Sequence, residues 1–183
     1  MYIKILNNKS GLKHIAVIMA LFISASAFCA KNANKKLLNI TLLNFMANKS
    51  VSIYQTPAMD SIIAKIKNNA AQENYYAFEV LEKKDSMLYV IAWCTKKKKE
   101  LKGWIKITDA GIYLRPRKSV YHIYKSPDYK SDNIKIVLHG SYLVKVLDIK
   151  NTWLKVEIRY NHKWYRYWLP YEYQCSEIYN SCT

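Results

Sequence analysis

Beyond residue 30 the side chains able to act as acids, bases, nucleophiles or metal ligands are few and scattered. The histidines there are His122, His139 and His162, and the cysteines are Cys94, Cys175 and Cys182. No H-E-x-x-H run and no Cys–His spacing of a zinc site occurs, and no G-x-S-x-G elbow is present. His162 falls in an expected turn, His139 precedes Gly140, and His122 shares strand parity with Tyr124. Each therefore reads as a solvated histidine rather than a base or ligand. Cys94 would need exposure and a stabilised thiolate to act as a nucleophile, and its strand parity buries it. Four glycines in 183 residues leave no phosphate-cradling loop. The expectation is a protein that is not an enzyme and that carries no metal and no cofactor.

The start of the chain has the parts of a secretory signal. Lys4, Lys9 and Lys13 precede an uncharged run from Ile15 to Ala30, and Ala25-Ser26-Ala27 supplies a small-residue cut site. The run is short for a membrane span, which needs about 18 or more apolar residues, although an uncleaved anchor is the alternative. Cys29 would carry a lipid only in a lipoprotein signal, and Phe28 and Ser26 depart from that pattern. Export places the remaining cysteines in an oxidising compartment. A local disulfide between Cys175 and Cys182 is expected there, pinning the C-terminal tail, with two free thiols as the alternative. The expected location is the periplasm or cell envelope, with membrane attachment only if Cys29 is lipidated or the signal is retained.

Charge points toward anionic partners. The chain has 29 Lys and Arg against 13 Asp and Glu, and the first 30 residues hold three of the lysines and no acid, so the remainder carries +13. Such a field favours anionic polymers, lipid head groups or acidic proteins. Nucleic acid is set aside because an exported protein rarely meets it.

The elements that must position any site are strands, and they come twice. Ile53, Tyr54 and Pro57 of "SIYQTP" match Ile123, Tyr124 and Pro127 of "HIYKSP". "FEVLEKKDSMLYV" (78–90) aligns with "VKVLDIKNTWLKV" (144–156), and Trp104-Ile105 aligns with Trp168-Leu169. Three ordered blocks with small gaps indicate a duplication. Within "TWLKVEIRY", Leu154, Val156, Ile158 and Tyr160 take one parity, and Lys155, Glu157 and Arg159 the other. That period of two marks a half-buried strand. The inward set of the first copy is Leu88, Val90, Ala92 and Cys94. Residues 95–103 and Asn161–Lys163 are expected hairpin connections, and "RPRKS" (115–119) the join between copies. The hairpin tips are basic: Lys96, Lys97, Lys98 and Lys99 in the first copy, and Arg159, Lys163 and Arg166 in the second. Together they suit an anionic surface in a salt-sensitive way.

Tyr-x-x-Pro near the start, a Val-Leu pair, and a closing Gly-Trp-Ile resemble the bacterial Src-homology-3-type domain. Here those residues are Tyr54, Pro57, Gly103, Trp104 and Ile105, then Tyr124, Pro127, Trp153, Trp168 and Leu169, with Tyr167 in place of the usual glycine. The resemblance covers roughly residues 45–183. It implies an all-β chain of two tandem small Src-homology-3-like barrels after a cleaved signal peptide: 1–30 signal, 31–47 lead-in, 48–115 the first barrel and 116–183 the second.

It further implies an exported binding module without a catalytic domain, reading cell-wall peptides through an aromatic groove. Rings give contact area at small entropic cost, and nearby cations match carboxylates. The residues carried over for that groove are Tyr54, Tyr121, Tyr124, Tyr129, Trp164 and Tyr165. The partner expected is peptidoglycan or another anionic envelope polymer. The alternative is a protein partner or inhibitor role acting through the basic face.

Overall fold

The structure, a computed structural model, describes residues 38, 40–46, 49–96, 100–116, 118–177 and 182, all within one compact unit spanning 37–183. The expected signal segment, Cys29 and Lys97–Lys99 lie outside the described residues. No helix among the described residues is long and apolar enough to cross a membrane.

The chain is all-β. Among the described residues thirteen strands follow in order: β1 (Ile40–Asn44), β2 (Val51–Tyr54), β3 (Ile62–Ile66), β4 (Tyr76–Lys84), β5 (Met87–Cys94), β6 (Leu101–Lys106), β7 (Ala110–Leu114), β8 (Val120–Tyr124), β9 (Asn133–Val137), β10 (Leu143–Lys150), β11 (Trp153–Tyr160), β12 (Lys163–Leu169) and β13 (Gln174–Cys175). Three single 3-10 turns interrupt them, at Ala70–Gln72, Ile107–Asp109 and Tyr171–Tyr173. All pairings are antiparallel and join into one sheet of order β3-β2-β6-β5-β4-β1-β7-β10-β11-β12-β8-β9, with β13 attached to β7. The sheet is not closed into a barrel: its path ends on β3 at one side and β9 at the other.

Side-chain alternation explains why these segments are strands. On β11, Leu154, Val156 and Ile158 are buried and Tyr160 packs against them, while Lys155, Glu157 and Arg159 face out. On β5, Leu88, Val90, Ala92 and Cys94 are the buried set. Burying apolar area at about 25 cal/mol per Å2 is what holds such strands in register. Phe78, Leu88, Ile105, Tyr121, Ile136 and Leu154 are among the largest fully enclosed side chains.

The duplication is present in the pairing itself. Tyr54 pairs with Trp104, and its counterpart Tyr124 with Trp168. The β4–β5 ladder slips between Val80 and Glu82, and the β10–β11 ladder slips at the equivalent step, between Val146 and Asp148. A bulge of this kind bends both ladders at one place. β7 takes part in both halves. It follows β6 and the second 3-10 turn, as β13 follows β12 and the third. It also pairs with β10 as β1 pairs with β4. The segment read as a lead-in thus supplies β1, an integral strand of the sheet.

Candidate functional site

The six carried-over aromatic residues do not converge on one groove. Tyr121 lies elsewhere than a groove wall. It alternates inward with Ile123, its ring is 0% exposed, and its hydroxyl donates to the Arg115 carbonyl at 2.8 Å. Burial pushes the Tyr121 phenol up from its usual range. Tyr165 also faces inward, against the core and 6.0 Å from Tyr167 ring to ring. Tyr54 belongs to the first half, where it pairs with Trp104.

Tyr124 and Tyr129 do meet, with Trp153 as the third ring. Centroids are 5.7 Å apart for Tyr124–Tyr129, 5.4 Å for Tyr124–Trp153 and 4.7 Å for Tyr129–Trp153. Edge-to-face and tilted packing of this kind favours the cluster beyond plain area burial. The Tyr129 hydroxyl donates to Glu172 Oε2 at 2.8 Å, tying the β8–β9 connection to the third 3-10 turn. Loss of hydration, then the Glu172 hydrogen bond and charge, push the Tyr129 phenol up to about 12. The cluster is filled by its own rings: Trp153 is buried beneath them. Its counterparts in the first half are Tyr54, Met59 and Met87, so only the second half builds the three-ring stack.

Of the six, Trp164 is exposed and faces a concavity. It is 64% exposed and pairs across β11–β12 with Arg159, whose guanidinium lies 6.0 Å from the ring centroid. Together with Phe45, Tyr142, Leu143 and Lys145 they line an open trough of about 380 Å3. Gly111 allows this trough a floor: a Cβ there would stand 3.0 Å from the Phe45 ring and 3.1 Å from Leu143. Along the same outer face Lys145 pairs with Glu157, and Glu157 with Arg166, whose Nε donates to Glu157 Oε2 at 2.8 Å. The row is cation, carboxylate, cation, with Arg159 beside it. Phe45, Tyr142 and Lys145 had no signal in a linear reading, because β1 comes near β10 and β12 only through β7, which pairs with both β1 and β10 across long sequence separations.

The basic tips divide. Lys96 is exposed and stands 3.8 Å from Glu73, a weak surface pair. Lys163 is exposed at the tip of the β11–β12 hairpin, next to the turn at Asn161 and His162. Among the described residues no group of three or more His, Cys, Asp and Glu is placed to hold a metal ion. His122 Nδ1 lies 3.0 Å from Asn133 Oδ1, while His139 and His162 are exposed. Cys94 is buried on β5 outside any disulfide. Cys175 and Cys182 form the expected disulfide.

In comparison with known proteins, no family model, no curated protein and no solved structure matches the chain.

Proposed function

We propose that the chain is a non-catalytic, exported binding protein built from two Src-homology-3-type halves, and that it recognises peptidoglycan peptides or another anionic polymer of the cell envelope. The carrying observation is the trough around Trp164, in which an exposed indole and Tyr142 stand beside Arg159 and Lys145. An aromatic wall with cations at its rim suits a flexible, carboxylate-bearing polymer, since rings stack on its apolar parts and guanidinium groups pair with its acids. The repeated registers, the bulge in each half and the excess of basic residues support the same reading.

The test is co-sedimentation of the chain with purified peptidoglycan sacculi across a salt series. Binding that persists in 1 M salt, where the screening length falls to about 3 Å, and that is lost in Trp164→Ala supports a groove that reads wall peptides. Binding that vanishes with salt reduces the interaction to charge, and no binding at any salt removes the proposal.

One observation favours a protein partner instead. The edge strand β3 leaves Ile62 and Ile63 each 49% exposed, with Met59 nearby in sequence at 44%. An open, apolar sheet edge is a template for strand addition. Crosslinking followed by pull-down distinguishes this reading, because a protein partner would be captured while purified wall is ignored.

A further inference from the structure

The edge of β7 opposite β10 is shared by two strands lying end to end. β1 pairs with its start, Leu43 with Gly111 and Asn44 with Ala110, and β13 pairs with its end, Cys175 with Tyr113 and Gln174 with Leu114. Between them β1 leaves β7 to join β4. The fork so formed encloses a concavity of about 320 Å3, the size of a small-ligand site. Ile40 and Ile112 give it an apolar side, and Thr41, Tyr171 and Ser176 bring hydroxyls to it. Cys182 closes one wall through its disulfide to Cys175.

Arg115 also lines this fork, and its donors are poorly used. Nε is buried and has no hydrogen-bond partner among the described residues. Among the described residues Nη2 makes one long contact, 3.5 Å, to the Gln174 carbonyl. A buried donor without a partner is costly, and a guanidinium offers a planar fork of donors that matches a carboxylate. The side chain is held at its root. The Arg115 amide donates to the Tyr173 carbonyl at 2.9 Å, and its own carbonyl accepts from the Tyr121 hydroxyl at 2.8 Å. Those backbone bonds do not involve the guanidinium.

We propose that this fork is a second binding site, in which Arg115 receives the terminal carboxylate of an amino acid or short peptide. The charge of the lining selects that class. Arg115 is the one cationic side chain lining it among the described residues. The planar pair of donors on a guanidinium matches a single carboxylate. The hydroxyls of Thr41 and Ser176 supply hydrogen bonds to the ligand backbone. The site has no counterpart in the first half, where Phe45 occupies the position of Arg115. It stands independently of the wall reading and of the Trp164 trough.

The experiment is a titration of the 15N-labelled full chain with the dipeptide Ala-Ala and, separately, with its C-terminal amide, reading the amide signals of Thr41 and Ser176. Saturable shifts with the dipeptide, and at least tenfold weaker binding of the amide, are expected. Arg115→Lys keeps the charge but loses Nε and should weaken the dipeptide about tenfold, which is about 1.4 kcal/mol. Equal shifts from both peptides, no shift at Thr41 and Ser176, or unchanged affinity in Arg115→Lys would overturn the proposal. Should that variant fail to fold, the comparison of dipeptide with amide on the unaltered chain decides by itself. A chain that binds the dipeptide and ignores sacculi keeps this site and loses the wall reading, and the reverse result does the opposite.

Discussion

Asp85 and Asn151 hold the same left-handed backbone, φ 51° and 55°, at equivalent points of two hairpins 66 residues apart. Each opens the two-residue connection after a bulged strand, β4 into β5 and β10 into β11. Asp and Asn tolerate this conformation better than other side chains, because their short polar groups bond locally. The third hairpin connection of this kind, β11 into β12, has two such residues in succession, Asn161 at φ 47° and His162 at φ 63°.

That pair of positive angles is the geometry in which Asn-Gly is the preferred sequence. His162→Gly should therefore raise stability by about 0.5–1 kcal/mol, through relief of the strained φ. The urea midpoint measures it. His162→Val should lower the midpoint instead.

Gly103 lies on β6 close against its neighbour β2. A Cβ there would fall 2.5 Å from Ile53 Cγ2 and 2.8 Å from the Tyr54 carbonyl oxygen. Backbone cannot yield as a side-chain tip does, so Gly103→Ala should cost about 1–3 kcal/mol. The equivalent residue of the second half is Tyr167, half-buried beside Tyr165, and Tyr167→Phe should change stability little. Chemical denaturation of both variants tests the contrast.

Asp109 carries a carboxyl that burial pushes above its usual range, against the lowering influence of Lys106 and Lys145. The folded state therefore holds this proton more tightly than the unfolded chain does. Its contribution is fully present at pH below the ordinary aspartate value and is lost as pH rises through the folded one. Asp109→Asn should then stabilise the protein at neutral pH and have almost no effect near pH 3. Thermal melts of the two proteins across that range should converge on the acid side.

Removing the Cys175–Cys182 bond by Cys182→Ser frees a seven-residue separation. A loop of that size corresponds to about 2–3 kcal/mol in the chain-entropy account. β13 has only two paired residues, so the loss should be local. Hydrogen exchange should quicken at the Arg115 amide, which donates to the Tyr173 carbonyl, and leave β4–β5 unchanged.

Much of this architecture is legible in the linear chain, and the reason is parity. Leu154, Val156 and Ile158 alternate with charged residues because one face of β11 meets the core, so burial could be read residue by residue. The duplication showed itself in Ile-Tyr-x-x-Pro because those residues sit where β2 pairs with β6 and β8 with β12. Tyr121 shows where reading stops. The resemblance put its ring on the groove wall, yet that ring is buried in the core and its hydroxyl donates to the Arg115 carbonyl. The trough around Trp164 and the fork around Arg115 were invisible for a different reason. Each gathers residues from strands far apart in sequence, β1 with β10 and β12 in one case and β1 with β13 in the other. No local pattern encodes such a meeting.

Because β7 ends one half and begins the other, the thirteen strands cannot be shared out equally. Any cut that leaves the first half whole deprives the second of the strand that flanks β10, and any cut that keeps it there removes the first half's last strand. Neither piece made alone would be complete. The two copies are therefore bound to melt as one, in a single calorimetric transition whose van't Hoff and measured enthalpies agree.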